Sequence, residues 1–325
     1  MKKIIDDIRL IFKCCGLYYE DGLSQQEISD MLQVSRPSVA RMIKNGREQG
    51  IVKIKVINPD SLIFGNLERE IEKNFGLEEV IIVPSGNADP VYEPNENLAN
   101  ETFKFLSRVL ENKDYVGITM GRTLKNLLKG HHDVEFRKCT FVPIVGGVAE
   151  NSYDIHSNYL ATSFAEIYHA DCLQFFAPLV FSNKDMLHNF LCEYSMQKIM
   201  RAFKKISIAI MGIGMPAKQK STLVKAGYIK EKLFDEFIAK GMVGDVAAQF
   251  YDKDGNTEQF ESFNNLIAAM SIENLKKVPC RIGIVAGKDK INSLIGAIRG
   301  NLINVLITDS DCAKELFNHK ENNLL

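Results

Sequence analysis

Two adjoining segments, Ser24-Gln-Gln-Glu27-Ile-Ser-Asp-Met-Leu-Gln33 and Val34-Ser35-Arg36-Pro37-Ser38-Val-Ala-Arg41-Met-Ile-Lys44, running on to Gly50, decide how this chain is read. Their spacing predicts two short helices joined by a tight turn. Ser24 can cap the first helix, and Glu27, three residues on, completes a capping box. Ile28, Met31 and Leu32 recur at helical spacing. Gln33-Val34 makes the break. Ser35 is a second N-cap, and Pro37 falls in the first turn, where its missing N–H costs nothing. Val39, Met42 and Ile43 give the second helix an apolar stripe, which Gly46 and Gly50 weaken and then end. The other face carries Arg36, Ser38, Arg41 and Lys44.

This is the layout of a DNA-binding helix-turn-helix, whose second helix enters the major groove by its N-terminal residues. Arginine there can reach guanine O6 and N7, and serine can donate to bases or phosphates. The expected DNA-contacting set is Ser24 and Gln25 on the first helix, and Ser35, Arg36, Pro37, Ser38, Arg41 and Lys44 on the second. The competing reading is an ordinary helical hairpin with solvated basic residues.

At 325 residues the chain suggests two domains. Its 46% apolar and 25% charged residues are ordinary for a globular protein. The net charge of −1 hides an asymmetry. Residues 1–58 hold ten Lys/Arg against seven Asp/Glu, and the remainder 30 against 34. A basic head on an acidic body suits a DNA-reading module joined to something that does not touch DNA. The seven cysteines include no C-x-x-C pair, and no Cys/His set has metal-ligand spacing, so neither zinc nor another cofactor is expected. Unpaired thiols, an N-terminus too acidic for a signal peptide and no long apolar run point to a cytoplasmic protein with no membrane partner.

Residues 3–20 read as an amphipathic helix with Ile4, Ile5, Ile8, Ile11, Phe12 and Cys15 on one face. Ile51-Val-Lys-Ile-Lys-Val-Ile57 alternates apolar residues with lysine, the pattern of a half-buried strand, and its place after the second helix suggests a wing. Lys53 and Lys55 would touch phosphates or simply guard an exposed edge. Asn58-Pro59-Asp60 marks the boundary between a DNA-binding domain, 1–58, and a second domain, 59–325. A helix over 62–75, with Leu62, Leu67, Ile71 and Phe75, ends at Gly76. Short apolar runs then alternate with helical stretches. The runs are 80–83, 115–119, 140–145, 172–176, 206–211, 244–251, 281–286 and 305–308. The helices fall near 96–111, 123–129, 158–169 and 185–204. That rhythm predicts a doubly wound, mostly parallel α/β domain covered on both faces.

Ligands bind such sheets at the carboxyl ends of strands. Four strand ends carry suggestive loops: Met120-Gly121-Arg122-Thr123, Gly146-Gly147, Gly212-Ile213-Gly214 and Ala286-Gly287-Lys288-Asp289-Lys290. The first combines helix N–H groups, an arginine and a hydroxyl, a good oxyanion site. One such loop is more often a plain glycine turn; four in one domain favour a small, polar, phosphorylated ligand. Asp245, in Gly241-Met-Val-Gly244-Asp245, could accept hydrogen bonds from sugar hydroxyls, or could be a turn carboxylate. The histidines form no usable constellation. His131-His132 read as a solvated loop, and His156 and His169 as structural or surface residues.

The residues as a set resemble the SorC family of sugar-binding transcriptional regulators, often called the SorC/DeoR type. The likeness runs in order through Leu23-Ser-Gln-Gln-Glu-Ile-Ser, Val34-Ser-Arg-Pro-Ser-Val-Ala-Arg, Gly50-Ile-Val-Lys-Ile, Val116-Gly-Ile-Thr-Met-Gly-Arg-Thr-Leu124, Val142-Pro-Ile-Val-Gly-Gly147, Gly212-Ile-Gly214, Gly244-Asp245 and Ile284 to Asp309. The resemblance implies a winged helix-turn-helix followed by an effector domain similar in fold to sugar-phosphate isomerases and glucosamine-phosphate deaminases. It implies a repressor of a carbohydrate operon that binds double-stranded operator DNA as a homo-oligomer, a dimer or tetramer. A phosphorylated sugar would release or rearrange it. Carried over, Gly121, Arg122 and Thr123 hold the phosphate, Gly146 and Gly147 line the pocket, and Asp245 and Lys290 contact the sugar or phosphate. Two departures stand out. Some members carry a lysine that bonds an aldehyde sugar covalently just before the Gly-Gly pair; here that place is Val145. The Ala-Gly-Gly-x-x-Lys loop is one residue shorter here, so either Lys288 or Lys290 is the pocket lysine, the following helix favouring Lys290. An enzyme of the deaminase type would follow Gly-Ile-Gly with an Asp-Gly-His run; Met215-Pro-Ala-Lys218 stands there instead, so no catalytic residue is expected.

Overall fold

A computed structural model describes residues 7–54, 63–86, 96–130, 134–147 and 153–321. The chain forms two compact units, residues 1–61 and 62–325.

In the first unit, helices α1 (Ile8–Tyr19), α2 (Gln25–Leu32) and α3 (Arg36–Glu48) enclose a small core of Ile11, Cys14, Cys15, Ile28, Val39, Met42 and Ile43. The caps are those the sequence predicts. The Glu27 N–H donates to Ser24 Oγ at 3.3 Å, and the Ser24 N–H donates to Glu27 Oε2 at 2.8 Å. Those bonds from Ser24 hold the Glu27 carboxyl below its usual value. Gln33 closes α2 in the left-handed region (φ 51°), and the Ser29 hydroxyl donates to the Val34 carbonyl at 2.6 Å, fixing the turn. The Ser38 N–H donates to Ser35 Oγ.

Three expectations change here. The buried face of α1 is Ile11, Cys14 and Cys15, while Ile8 and Phe12 are 62% and 68% exposed. Gly46 is passed without a break, α3 running on to Glu48. It is buried inside the helix, where a Cβ would lie 2.3 Å from Cys15 Sγ, so α1 and α3 approach closely at this point. Residues 51–54 are a bend and extended coil without strand pairing; a strand needs a partner, and the described part of this unit holds only helices. The remainder of the expected wing, with Lys55, lies outside the described residues, as do Ile4, Ile5, Leu62, His131 and His132.

The second unit is built on a sheet of seven strands: β1 (Glu79–Val83), β2 (Tyr115–Ile118), β3 (Thr140–Pro143), β4 (Asp171–Cys172), β5 (Ile206–Gly212), β8 (Cys280–Val285) and β9 (Val305–Asp309). Their order is β1-β9-β8-β5-β2-β3-β4, and every pairing is parallel. β6 (Gly244–Val246) and β7 (Gln249–Tyr251) form a separate antiparallel hairpin. Both faces of the sheet are covered. Along β5, Ile208 and Ile210 enter one core with Val116, Ile118, Ile282 and Ile284; Ala209 and Met211 enter the other with Val285 and Leu306. Alternate residues thus serve opposite cores, so the strands read as continuous apolar runs.

The differences from expectation are local. The 172–176 run is strand only at Cys172, because β4 is an edge pairing just two residues of β3. The helix expected over 185–204 is two, Lys184–Cys192 and Gln197–Phe203, broken where Glu193 turns extended (ψ 145°). The 244–251 run doubles back on itself at Ala247 and Ala248, both at positive φ (51° and 62°).

Replacing Gly46 with alanine drives a methyl into Cys15. Overpacking of this kind costs about 1–3 kcal/mol, and hydrogen exchange of α1 and α3 in the full chain should speed up accordingly. Equal protection in Gly46→Ala and wild type would contradict the packing described.

Candidate functional sites

The sheet order reverses beside β2. From β2 the chain moves outward to β3 and β4, then returns to pair β5 on the other side of β2 and continues to β8 and β9. A cavity of about 270 Å³ lies at this reversal, where the carboxyl ends of β2, β5, β8 and β9 face one another. It is lined by Gly121, Arg122, Thr123 and Asn126 after β2, and by Gly212–Met215 and Lys220–Leu223 after β5. Asp245, Ala247 and Ala248 come from the hairpin, Ala286, Gly287, Asp289 and Lys290 from the β8 loop, Asp309 and Asp311 from the end of β9, and Ser85 from the end of β1.

Several of these residues are held by identifiable neighbours. Gly121 precedes the helix Arg122–Leu127, and its N–H donates to the Ile155 carbonyl at 2.9 Å. The Arg122 guanidinium donates to the Lys220 carbonyl. The Lys220 ammonium lies 2.5 Å from Asp289 Oδ2. Asp309 accepts from the Gly287 N–H and the Cys312 N–H, each at 2.8 Å, and so clamps the β8 loop to the end of β9. Ser85 meets Ser310 Oγ at 3.0 Å and accepts from the Asp311 N–H.

Asp245 is seated by Gly214. The Gly214 N–H donates to the Asp245 carbonyl at 2.9 Å, and a Cβ at 214 would fall 1.8 Å from Asp245 Oδ1, so only glycine admits the carboxylate here. Burial pushes the Asp245 carboxyl up to about 6, against the pull of Lys290. Burial likewise moves Lys290 below its ordinary value, with Asp289 the strongest opposing charge. An acid raised and an amine lowered in one cavity are a pattern common at binding and catalytic sites.

The sequence candidates therefore divide. Gly121, Arg122, Thr123, Asp245 and Lys290 come together in the cavity. Lys288 is exposed and does not line it, although only one residue of the 3-10 turn Lys288–Lys290 separates the two lysines. Gly146 and Gly147 do not line it either. They sit beyond β3, one strand outward. The Gly146 N–H donates to the Ala268 carbonyl at 2.7 Å, and a Cβ there would meet three carbonyl oxygens at 3.0–3.1 Å. This pair is a backbone packing point. Gly147 borders a second cleft with His156, Asn158 and Tyr159. His156 is buried, with Nδ1 3.1 Å from Tyr228 Oη, and His169 caps a helix and stacks on Phe136. Val145 is fully buried, so no amine stands there to condense with an aldehyde. Sequence reasoning missed Lys220, Asp289, Asp309 and Ser85 as cavity residues; Lys220 follows a segment with no periodic pattern, Asp289 lies in a loop read for its glycine and lysines, Asp309 ends the apolar run of β9, and Ser85 follows β1 with no motif of its own.

In the first unit, Arg36, Arg41 and Lys44 project from the exposed face of α3, opposite buried Val39, Met42 and Ile43. Pro37 is exposed beside them in the first turn. The Ser35 hydroxyl lies 2.8 Å from that of Ser38, so both serines are partly engaged in capping. Ser24 is engaged likewise at α2, next to half-buried Gln25. Lys44 pairs with Glu48 at 3.6 Å, fully in solvent, an ion pair worth little.

Comparison with known proteins places these features in context. The sugar-binding domain family model (Sugar-bind) matches residues 64–318. The sorbitol operon regulator of Klebsiella pneumoniae is 29% identical over 317 residues, covering 96% of this chain and 98% of that protein. The deoxyribonucleoside regulator of Bacillus subtilis is 26% identical over 312 residues, covering 95% and 97%. The crystal structure of the full-length Klebsiella regulator SorC superposes with a TM-score of 0.70 at 28% identity, covering 96% of this chain and 99% of that one.

Asp245 sets a pH dependence. Because its folded value lies above the 3.8 of a free carboxyl, the folded state holds a proton that the unfolded chain has lost between about pH 4 and 6. Its ionisation therefore costs stability as pH rises through that window. Asp245→Asn should raise stability by about 3 kcal/mol above pH 7, and the gain should vanish toward pH 4. Denaturant unfolding at pH 4.5 and 8 checks this; a gain of equal size at both would contradict it.

Proposed function

Since the chain belongs to the SorC-type family that shares the sugar-binding domain, we infer that it is a sequence-specific, DNA-binding transcriptional regulator of a carbohydrate operon. The observation that carries the effector half is the cavity at the sheet's switch point, where Arg122, Lys220 and Lys290 converge among glycine loops. Cations with backbone N–H groups suit a phosphate, and acids such as Asp245 suit the hydroxyls of its sugar. The ligand is a phosphorylated sugar, held without a covalent bond.

The head reads double-stranded operator DNA with α3, Arg36 and Arg41 reaching base edges or phosphates and Lys44 the backbone. The protein acts as a repressor in the cytoplasm, as a homo-oligomer of two or four copies. Ligand binding shifts the population between arrangements of different DNA affinity. Among the described residues no helix is long and apolar enough to cross a membrane. The relatives compared are named as regulators, which supports a binding rather than a catalytic role, and Met215-Pro216-Ala217-Lys218 follows Gly214 where a deaminase-type enzyme would carry an Asp-Gly-His run.

Removing one cation that neutralises a DNA phosphate should flatten the salt dependence of binding by about 0.9 in log–log slope. Arg36→Ala with Arg41→Ala should weaken binding to DNA from upstream of the protein's own operon by at least about tenfold and flatten that slope. Unchanged affinity and slope would remove α3 as the recognition helix.

A further inference from the structure

Two lysines stand in the loop that follows Gly214, and they serve different ends. Lys218 Nζ lies 2.9 Å from Asp235 on the helix Glu231–Ala239 and does not line the cavity. Lys220 does line it. Its ammonium lies 2.5 Å from Asp289, while its own carbonyl accepts from the Arg122 guanidinium. One residue thus joins the arginine of the β2 loop to the acid of the β8 loop. Asp289 is the immediate neighbour of Lys290 in the chain and is the acid nearest in effect to that amine.

Resting on the reading that this cavity takes a phosphorylated ligand, we propose that Asp289 is an internal stand-in for the ligand's anionic group, and that Lys220 exchanges Asp289 for that group on binding. Lys220 is then a specificity residue.

The chemistry supports the exchange. A carboxylate and a phosphate both accept charge-assisted hydrogen bonds from an ammonium, and the phosphate carries the greater charge and more acceptor oxygens. Asp245, Asp289, Asp309 and Asp311 line the cavity beside Arg122 and Lys290, so a dianion entering it gains from a third cation that can leave its acid. The pair is half in water, Lys220 39% and Asp289 43% exposed, so the displaced carboxylate is hydrated at little cost. An unphosphorylated sugar has no charge with which to compete, and Asp289 keeps Lys220. The internal pair therefore filters ligands by charge, and the Arg122 bond to the Lys220 carbonyl carries the exchange into the 215–221 loop.

The test is a double-mutant cycle on the full chain, with inorganic phosphate as the probe at fixed pH and ionic strength, read by calorimetry. Lys220→Met should weaken phosphate binding about tenfold and Lys220→Arg should restore most of it. Asp289→Asn should tighten binding about fivefold, and by less than about twofold once Lys220 is Met. Lys218→Met should bind as wild type does. If Asp289→Asn tightens binding equally in both backgrounds, or leaves it unchanged, the exchange is overturned while wild-type binding keeps the phosphate-site reading. Equal losses for Lys218→Met and Lys220→Met overturn it in the same way. Absence of phosphate binding by the wild type, at any concentration up to tens of millimolar, overturns the exchange and the phosphorylated-ligand reading together.

Discussion

Seven strands that all run the same way must send all their carboxyl ends to one edge. Parallel pairing forces each connection to cross back over a face of the sheet. The loops that follow β2, β5, β8 and β9 therefore gather without any attraction between their side chains. The reversal of strand order beside β2 opens the gap between them. The polar contacts of the cavity depend on this geometry, from the Arg122 bond to Lys220 to the Asp309 clamp on Gly287.

Filling that gap with charge opposes stability. Asp245 and Lys290 are both moved toward neutrality by their surroundings. The hairpin that delivers Asp245 turns on two alanines at positive φ, a region that non-glycine residues rarely occupy and that stores strain. The two apolar cores that flank the sheet offset these costs; they run from Ile71 to Leu316 on one face and from Val83 to Ile307 on the other. Gly214 shows how narrow the fit is, since one methyl there would displace the Asp245 carboxylate.

Much of this was legible in the sequence, for reasons that are local. The caps at Ser24 and Ser35 are decided within four residues, and so they stand where they were expected. Buried parallel strands announce themselves as apolar runs, which is why β1, β2, β5, β8 and β9 fall where predicted. What depends on distant partners was not legible. Periodicity groups Ile8 and Phe12 with Ile11 and Cys15, whereas α1 packs on α3 through Ile11, Cys14 and Cys15 and leaves the other two exposed. Gly146-Gly147 has the composition of a ligand loop, yet it sits against the Ala177 and Ala268 carbonyls. The same spacing that nominated both Lys288 and Lys290 could not separate them; only Lys290 lines the cavity. Lys220 carries no motif at all, and only the folded loop brings it to Asp289.

On the proposed function the cavity and the helix-turn-helix are two ends of one equilibrium, and linkage requires that a ligand favouring one state alter DNA affinity by its preference for that state. The direct measurement is fluorescence anisotropy of the full chain on labelled DNA from upstream of its own operon. It is read at fixed salt with and without a panel of phosphorylated sugars and their unphosphorylated counterparts. The expected result is binding that one phosphorylated sugar weakens or reshapes and its unphosphorylated counterpart does not. Tight binding that no member of the panel alters, or no binding to that DNA together with turnover of a sugar phosphate, would contradict the account.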